Sequence, residues 1–345
     1  MRALVTGGGG FLGSHLVRAL VARGHAVRVL ARGDYPDLVA LGVVVERADL
    51  RDEAAVTAAA RGVDTVFHVA AKAGGWGDPR EFESINVAGT ENVVAACKSE
   101  GVPRLVYTSS PSVVHAHHDI EGGDESLPYA PHFIAHYPRT KALAEQVVLA
   151  ASRDGLRTVS LRPHFIWGPG DQHLLPRLVA RAKAGRLRQI GDRDPLTDTT
   201  YIDNCVDAHL LADAALATRA AISGRAYFIS DDSPVGVFTM ARRMLAAVDG
   251  GDVGPSVPVW AAYALGGALE AVHALLRLGR EPLITRFAVS ELTHAQWFDI
   301  SAAKRDLGYK PQVTIDDGLA RLRSAHAARA TPPSPSGASG EPRGG

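Results

Sequence analysis

Tyr137 and Lys141 stand four residues apart in Tyr137-Pro138-Arg139-Thr140-Lys141. On a helix that spacing puts both side chains on one face. A phenol with a pKa near 10 is a poor acid or base at neutrality. An adjacent ammonium stabilises its phenolate and lowers that value. The pair is therefore suited to moving a proton on and off a carbonyl oxygen. A second candidate group is Tyr107-Thr108-Ser109-Ser110-Pro111-Ser112, which closes a short aliphatic run at Leu105–Thr108. A hydroxyl there could hydrogen-bond the same oxygen. Ser109, Ser110 and Ser112 compete on sequence alone, since serines in such turns commonly cap helices.

A third component lies at the N-terminus, in Thr6-Gly7-Gly8-Gly9-Gly10-Phe11-Leu12-Gly13. It follows a strand-like run and opens a helix-like one. Glycines are needed where the chain turns tightly and a pyrophosphate approaches main-chain N–H groups. The run fits GxGxxG (Gly8, Gly10, Gly13) and GxxGxxG (Gly7, Gly10, Gly13) alike, so the pattern leaves the register open. The next strand ends at Leu30-Ala31-Arg32. A site for NAD(H) places an acid about 20 residues beyond the glycines, to bond the ribose 2′-hydroxyl. Here Ala31 takes that place and Arg32 follows, a guanidinium that can bind a 2′-phosphate in bidentate fashion. The expectation is NADP(H) ahead of NAD(H), with Asp34 as the one acid close enough to reach a ribose. Asp49-Leu50, after the third strand, is placed to meet adenine; the alternative for Asp49 is the N-cap of the following helix.

The elements that must position these residues alternate. Strand candidates are Ala3–Thr6, Ala26–Leu30, Val43–Glu46, Thr65–Val69, Leu105–Thr108 and Thr158–Leu161. Between them lie helical patterns at Phe11–Arg23, Glu53–Ala60, Phe82–Lys98 and Tyr137–Ala151. Apolar strands alternating with helices imply an α/β fold, a doubly wound parallel sheet of Rossmann type. After about Pro169 helical segments dominate, with short strand candidates at Arg188–Ile190 and Ala226–Ile229. The expected division is a dinucleotide-binding domain over 1–170 with some later segments returning to it, a smaller and mainly helical substrate lobe over 171–329, and a Pro/Gly/Ser-rich disordered tail over 330–345.

Composition narrows the partners. The 345 residues carry 37 basic and 37 acidic side chains, a formal net charge of zero that points to neither nucleic acid nor an anionic membrane. Cys97 and Cys205 have no CxxC spacing and read as buried apolar residues of a cytoplasmic protein. The N-terminus reads as a strand start, without the apolar core of a signal peptide. The segment 257–278 is long and apolar, but Glu270, His273 and Arg277 interrupt it. It reads as a helix of the lobe lining an apolar pocket, with contact to a membrane surface as the alternative and no transmembrane span. His115, His117, His118 and Asp119 look metal-like, yet no second ligand cluster accompanies them. No metal is expected there, and a mobile loop over the substrate is. No GxSxG context supports a serine hydrolase.

Taken in order, Thr6–Gly13, His68-Val69-Ala70-Ala71, Asn86-Val87-Ala88-Gly89-Thr90, Tyr107–Ser110, Tyr137–Lys141 and Arg162-Pro163 through Gly168-Pro169-Gly170-Asp171 resemble the extended short-chain dehydrogenase/reductase family over roughly residues 1–325. The resemblance implies that Ser110 polarises the substrate, Tyr137 is the acid/base, and Lys141 binds the nicotinamide ribose beside Tyr137. It adds Asn86 as a fourth active-site position. It places Gly7, Gly10, Phe11, Leu12, Gly13, Arg32, Asp49, Leu50, Ala70, Ala71, Lys141 and Pro163 around the cofactor. Two branches are similar. One is the 3β-hydroxysteroid and sterol-4-carboxylate dehydrogenases. The other, matched by Ala71-Lys72-Ala73-Gly74-Gly75-Trp76-Gly77, Ile166–Gln172, Asp198–Asn204 and Pro282–Phe287, is the bacterial 2-alkyl-3-oxoalkanoate reductases of long-chain olefin biosynthesis.

The second likeness implies hydride transfer from NADPH to the 3-keto carbon of a small hydrophobic carboxylic acid. Such a substrate needs an apolar cavity and a cationic anchor. Trp76, Trp167, Trp260 and the 257–278 helix are candidate walls, and Lys72 is the candidate anchor. The likeness also implies a homodimer, within a larger assembly of pathway enzymes. Competing classes are a nucleotide-sugar epimerase or dehydratase and a non-catalytic dinucleotide sensor. Dehydratases of the family add an Asp-Glu pair after the serine, which Ser110-Pro111-Ser112 lacks. Sensors commonly lose the Tyr or Lys, and both are present.

Overall fold

Short aliphatic runs with no polar face can only be strands covered on both sides, and the chain folds accordingly. The computed structural model describes residues 1–330; the expected tail over 330–345 lies, but for its first residue, outside them. Seven strands form one parallel sheet: β1 (Arg2–Thr6), β2 (Ala26–Ala31), β3 (Val44–Arg47), β4 (Thr65–His68), β5 (Arg104–Thr108), β6 (Arg157–Pro163) and β7 (Arg225–Ile229). Their spatial order is 3-2-1-4-5-6-7 and every pairing is parallel. The order reverses beside β1, where β1 and β4 lie next to each other. In open α/β sheets the ligand crevice opens at that point, outside the carboxyl ends of the strands.

Alternate strand residues feed two cores. Val5, Val106 and Val159 point to one face, where α1 (Phe11–Ala22) and a later helix cover them. Leu4, Val66 and Leu105 point to the other, under α2 (Glu53–Ala60), α3 (Gly89–Ser99) and α4 (His136–Ala150). Two segments that read in the sequence as part of the lobe return to this domain. Arg225–Ile229 pairs with β6 as the edge strand. After α5 (Leu174–Lys183), helix α6 (Ile202–Thr218) places Cys205, Ala208 and Ala212 in the core beneath α1's face. A strand of five residues carries no mark of which sheet it joins; pairing decides it.

The remaining elements carry a smaller core of Ile190, Phe238, Leu245, Val253, Ala262 and Val289. They include α7 (Val237–Ala247), α8 (Val259–Leu275) and α9 (Arg286–Thr293). Among the described residues no helix is long and apolar enough to cross a membrane. The long helix expected over Phe82–Lys98 is broken: a π-helical stretch at Glu83–Ala88 precedes α3. Such stretches recur at functional sites.

Candidate active site

β5 ends at Thr108 and the chain leaves the sheet through Ser109 and Ser110. Ser110 is extended (φ −159°, ψ 147°) and caps a short turn at Pro111–Val113. Its Oγ accepts from the Ser112 N–H at 3.2 Å and lies 2.9 Å from the Ser112 hydroxyl. Either hydroxyl can donate in that pair, and Ser110 stands close enough to the Tyr137 phenol to favour its ionised form. The three serines that sequence left competing differ in setting: Ser109 is buried with its N–H on Leu161, Ser112 bonds Ser110, and Ser110 is the one that influences the Tyr137 phenol.

Tyr137 sits in the first turn of α4, where Pro138 costs no hydrogen bond. Burial pushes its phenol above the usual value, and the Glu291 charge adds to this; the Ser110 bond pulls the other way. Lys141, one turn on, is 2% exposed. Its ammonium donates to the Thr108 carbonyl and lies 4.1 Å from the Tyr107 ring centroid. Burial lowers its pKa to about 7, against the pull of Glu145. The expected depression of Tyr137 by Lys141 is therefore not present here, because the ammonium faces the strand end rather than the phenol. A further turn along, Glu145 accepts from Arg162 at 2.6 Å, Ser160 at 2.7 Å and Tyr129 at 2.8 Å. This buried pair, unforeseen in the sequence reading, clamps α4 to β6.

The glycine turn has the shape a pyrophosphate needs. Gly7 has φ +70°, and a Cβ there would lie 2.8 Å from Ala70 Cα. A Cβ on Gly13 would collide with the Gly7 carbonyl. These close approaches leave the first-turn N–H groups of α1, including Phe11, Leu12 and Gly13, ahead of the helical ladder and open to an anion. A Cβ on Gly9 would collide with the Tyr35 ring, a contact that sequence reading missed. Gly10 N–H bonds Gly7 O at 2.9 Å, and Ala70 N–H bonds Thr6 Oγ1 at 3.3 Å. Ala71 follows in the exposed loop, and Pro163 ends β6, paired with Ile229.

Arg32 is exposed and makes no ion pair among the described residues, whereas Asp34 lies 3.5 Å from Arg47. Asp49 pairs with Arg51 at 2.8 Å, which lowers its carboxyl to about 2. It is not the cap of α2; Asp52 is, accepting from Ala55 N–H. Leu50 is buried against Gly89.

The residues read as substrate contacts fare differently. Lys72 is already neutralised by Glu81 at 2.7 Å and lies 5.1 Å from the Phe82 ring centroid. Trp76 donates to the Leu278 carbonyl at 3.2 Å and meets His273 edge-on, joining its loop to the end of α8. Trp167 corrects the expectation of a pocket wall: it is 1% exposed, edge-on to Tyr201 and hydrogen-bonded to Asp231, a core residue. Trp260 is 75% exposed. Asn86 accepts from Lys72 N–H at 2.7 Å and donates to Lys72 O and Thr140 Oγ1, each at 3.0 Å. Those bonds engage its whole amide in fixing the loop against α4, so its geometry is that of a positioning residue.

The loop after Ser110 is anchored rather than loose. His115, His117 and His294 converge on Ser290 of α9, beside Glu291. Among the described residues no group of three or more His, Cys, Asp or Glu side chains is arranged to hold a metal.

The model of the 3-beta hydroxysteroid dehydrogenase/isomerase family matches residues 4–258. A 2-alkyl-3-oxoalkanoate reductase of Stenotrophomonas maltophilia is 51% identical over 95% of this chain and 100% of its own length. Another of the same name from Shewanella oneidensis is 45% identical over 94% and 86%. A solved structure of MoeE5 in complex with UDP-glucose and NAD superposes with a TM-score of 0.72 at 25% identity, covering 96% of this chain and all of that one.

Proposed function

Since the chain belongs to the 3-beta hydroxysteroid dehydrogenase/isomerase family, an oxidoreductase family of the extended short-chain type, we propose that it reduces 2-alkyl-3-oxoalkanoates to 2-alkyl-3-hydroxyalkanoates with NADPH. The observation that carries the reaction class is the placement of Ser110, just past the carboxyl end of β5, beside the Tyr137 phenol of α4. The 2-alkyl-3-oxo acid is supported by likeness to reductases of that name over nearly the whole chain. NADP(H) is supported by Ala31 at the strand end and by the exposed Arg32 after it, which makes no ion pair among the described residues. We further assign it to the cytoplasm as a homodimer, in an assembly with other enzymes of olefin synthesis.

A bound nicotinamide dinucleotide supplies the hydride. The α1 N-terminus and the turn Gly7–Gly13 would hold its pyrophosphate, Arg32 its 2′-phosphate and Lys141 its ribose. Ser110 and Tyr137 together hold the substrate carbonyl oxygen. Their donated hydrogen bonds stabilise the charge that develops there. Tyr137, kept protonated by burial, gives its proton to that oxygen. Helix α4, clamped by Glu145–Arg162, fixes the phenol relative to Ser110.

The test is reduction of NADP⁺ and NAD⁺ by the purified protein with a 2-alkyl-3-hydroxy fatty acid, in parallel with a 3β-hydroxysteroid. The hydroxy acid avoids the spontaneous decarboxylation of keto acids. Turnover of the hydroxy acid with NADP⁺ is expected. Turnover of the steroid alone would move the protein to the steroid branch, the second reading that the family match favours.

A further inference from the structure

Ser290 is fully buried on α9, and three imidazoles converge on it. Its Oγ lies 3.0 Å from His115 Nε2, 2.9 Å from His117 Nδ1 and 3.4 Å from His294 Nδ1. Glu291 Oε1 comes within 3.7 Å of His115 Nε2. Gln296, at the start of the strand segment after α9, is 1% exposed. Most of these groups are only half satisfied. His115 Nδ1 and His117 Nε2 are buried without a hydrogen-bond partner among the described residues, and Glu291 Oε1 and the Gln296 amide are buried beside one another without a well-formed bond. More than nine in ten buried polar groups normally have one. Under-satisfied polar groups on neighbouring side chains, with His115 3.7 Å from Glu291, therefore point to a ligand that supplies partners. His117 also holds a left-handed backbone, φ 59°, a strain that persists where surrounding structure enforces it and that clusters at ligand sites.

The cluster reaches toward the Tyr137 phenol through Glu291 and toward open space through His117 and His294. His115 comes five residues after Ser110, and Glu291, when ionised, raises the Tyr137 phenol. On the other side, His117 and His294 form part of the wall of a cavity of about 580 Å³. The groups are largely neutral donors and acceptors. Burial lowers His115 to about 3, so its imidazole stays uncharged. Burial pushes Glu291 up to about 7, with the neighbouring Gln296 amide pulling the other way. A protonated carboxyl donates a hydrogen bond. Nearby Asp119 is already paired with Arg193 at 3.0 Å.

We propose that His115, His117, Glu291 and Gln296 form the subsite for the carboxylate of the 3-oxo acid, the role that sequence reading gave to Lys72. This rests on the substrate class proposed above. A carboxylate accepts about four hydrogen bonds and lies two bonds from the keto carbon, so its subsite must adjoin Tyr137. Donors around it do more than anchor. Loss of CO₂ from a β-keto acid breaks the bond between C1 and C2: a carboxylate oxygen pair completes CO₂, and the bonding pair becomes an enolate whose charge rests on the keto oxygen that Ser110 and Tyr137 polarise. Hydrogen bonds that hold the charge on the carboxylate oppose that loss and favour reduction.

The test compares wild type with His117→Ala and Gln296→Leu, each checked by thermal melting and NADP⁺ binding. KM and kcat are measured for a 2-alkyl-3-hydroxyalkanoate and for the matching secondary alcohol without the carboxylate. The KM for the acid is expected to rise about 10-fold or more, the loss of one hydrogen bond to a charged group, while the KM for the alcohol holds. Glu291→Gln, which keeps a donor, is expected to retain acid binding better than Glu291→Leu. Equal losses for acid and alcohol, or no loss in either, would overturn the subsite while leaving the reductase reading standing. Turnover of neither compound by wild type would remove both.

Discussion

Lys141 lies beneath the reaction centre with its ammonium 4.1 Å from the Tyr107 ring centroid, hydrogen-bonded to the end of the strand that Tyr107 belongs to. A charge so buried opposes folding. Its pKa falls from 10.5 to about 7, so between those values the unfolded chain binds more protons than the folded one. Stability must therefore rise with pH through that window. Lys141→Met removes the buried charge, and with it the desolvation that opposes folding, at similar volume. The cofactor-free variant is expected to melt higher than wild type at pH 6, with the advantage fading between about pH 7 and 10.5, and to lose turnover. Melting curves across pH check this; a variant less stable at pH 6 refutes it.

Tyr137→Phe removes the proton donor without disturbing α4. Positioned acid/base groups contribute about 10²- to 10⁴-fold, and a loss of that size in kcat is expected. NADP⁺ binding, followed by nucleotide fluorescence, should persist. Because burial keeps the phenol protonated through neutrality, ketone reduction should hold its rate from pH 6 to 8. Alcohol oxidation, which needs the phenolate, should climb over the same range.

Arg32 stands exposed with no ion pair among the described residues, while Asp34 is within reach of Arg47. If Arg32 meets a 2′-phosphate, Arg32→Ala raises KM for NADP⁺ about 10- to 100-fold, the range expected for losing a charge-assisted contact. KM for NAD⁺ should hardly move. Parallel kinetics with both cofactors decide it, and equal changes would place Arg32 outside the recognition site.

What the sequence revealed follows the range of the interactions. The Gly7–Gly13 turn and the Tyr137–Lys141 spacing are local, and both could be read directly. Lys72 looked free because its partner Glu81 comes from a short helix nine residues on. The meeting of His115 with Ser290 joins residues 175 apart, so the histidine run read as a loop. Burial of Glu291 has no local signature either, since an acid in a short amphipathic helix ordinarily faces water.

Trp167 shows the same limit, because an aromatic residue near a motif reads equally as pocket or core. It packs edge-on to Tyr201 at 5.2 Å and donates to Asp231 at 3.4 Å. Asp231 also accepts from Tyr201 N–H and Asn204 Nδ2, each at 2.8 Å, and from Thr199 Oγ1 at 3.0 Å. Trp167→Phe leaves those three donors in place but opens a cavity beside Gly318, whose added Cβ would lie 2.6 Å from the indole. The cost is expected to be about 1–3 kcal/mol, mostly from lost packing. Denaturant unfolding should show it as a lower midpoint. The KM values for hydroxy acid and NADP⁺ should stay within about twofold, because changes away from a binding site leave its contacts intact. A raised KM for the hydroxy acid at unchanged stability would return Trp167 to the pocket wall.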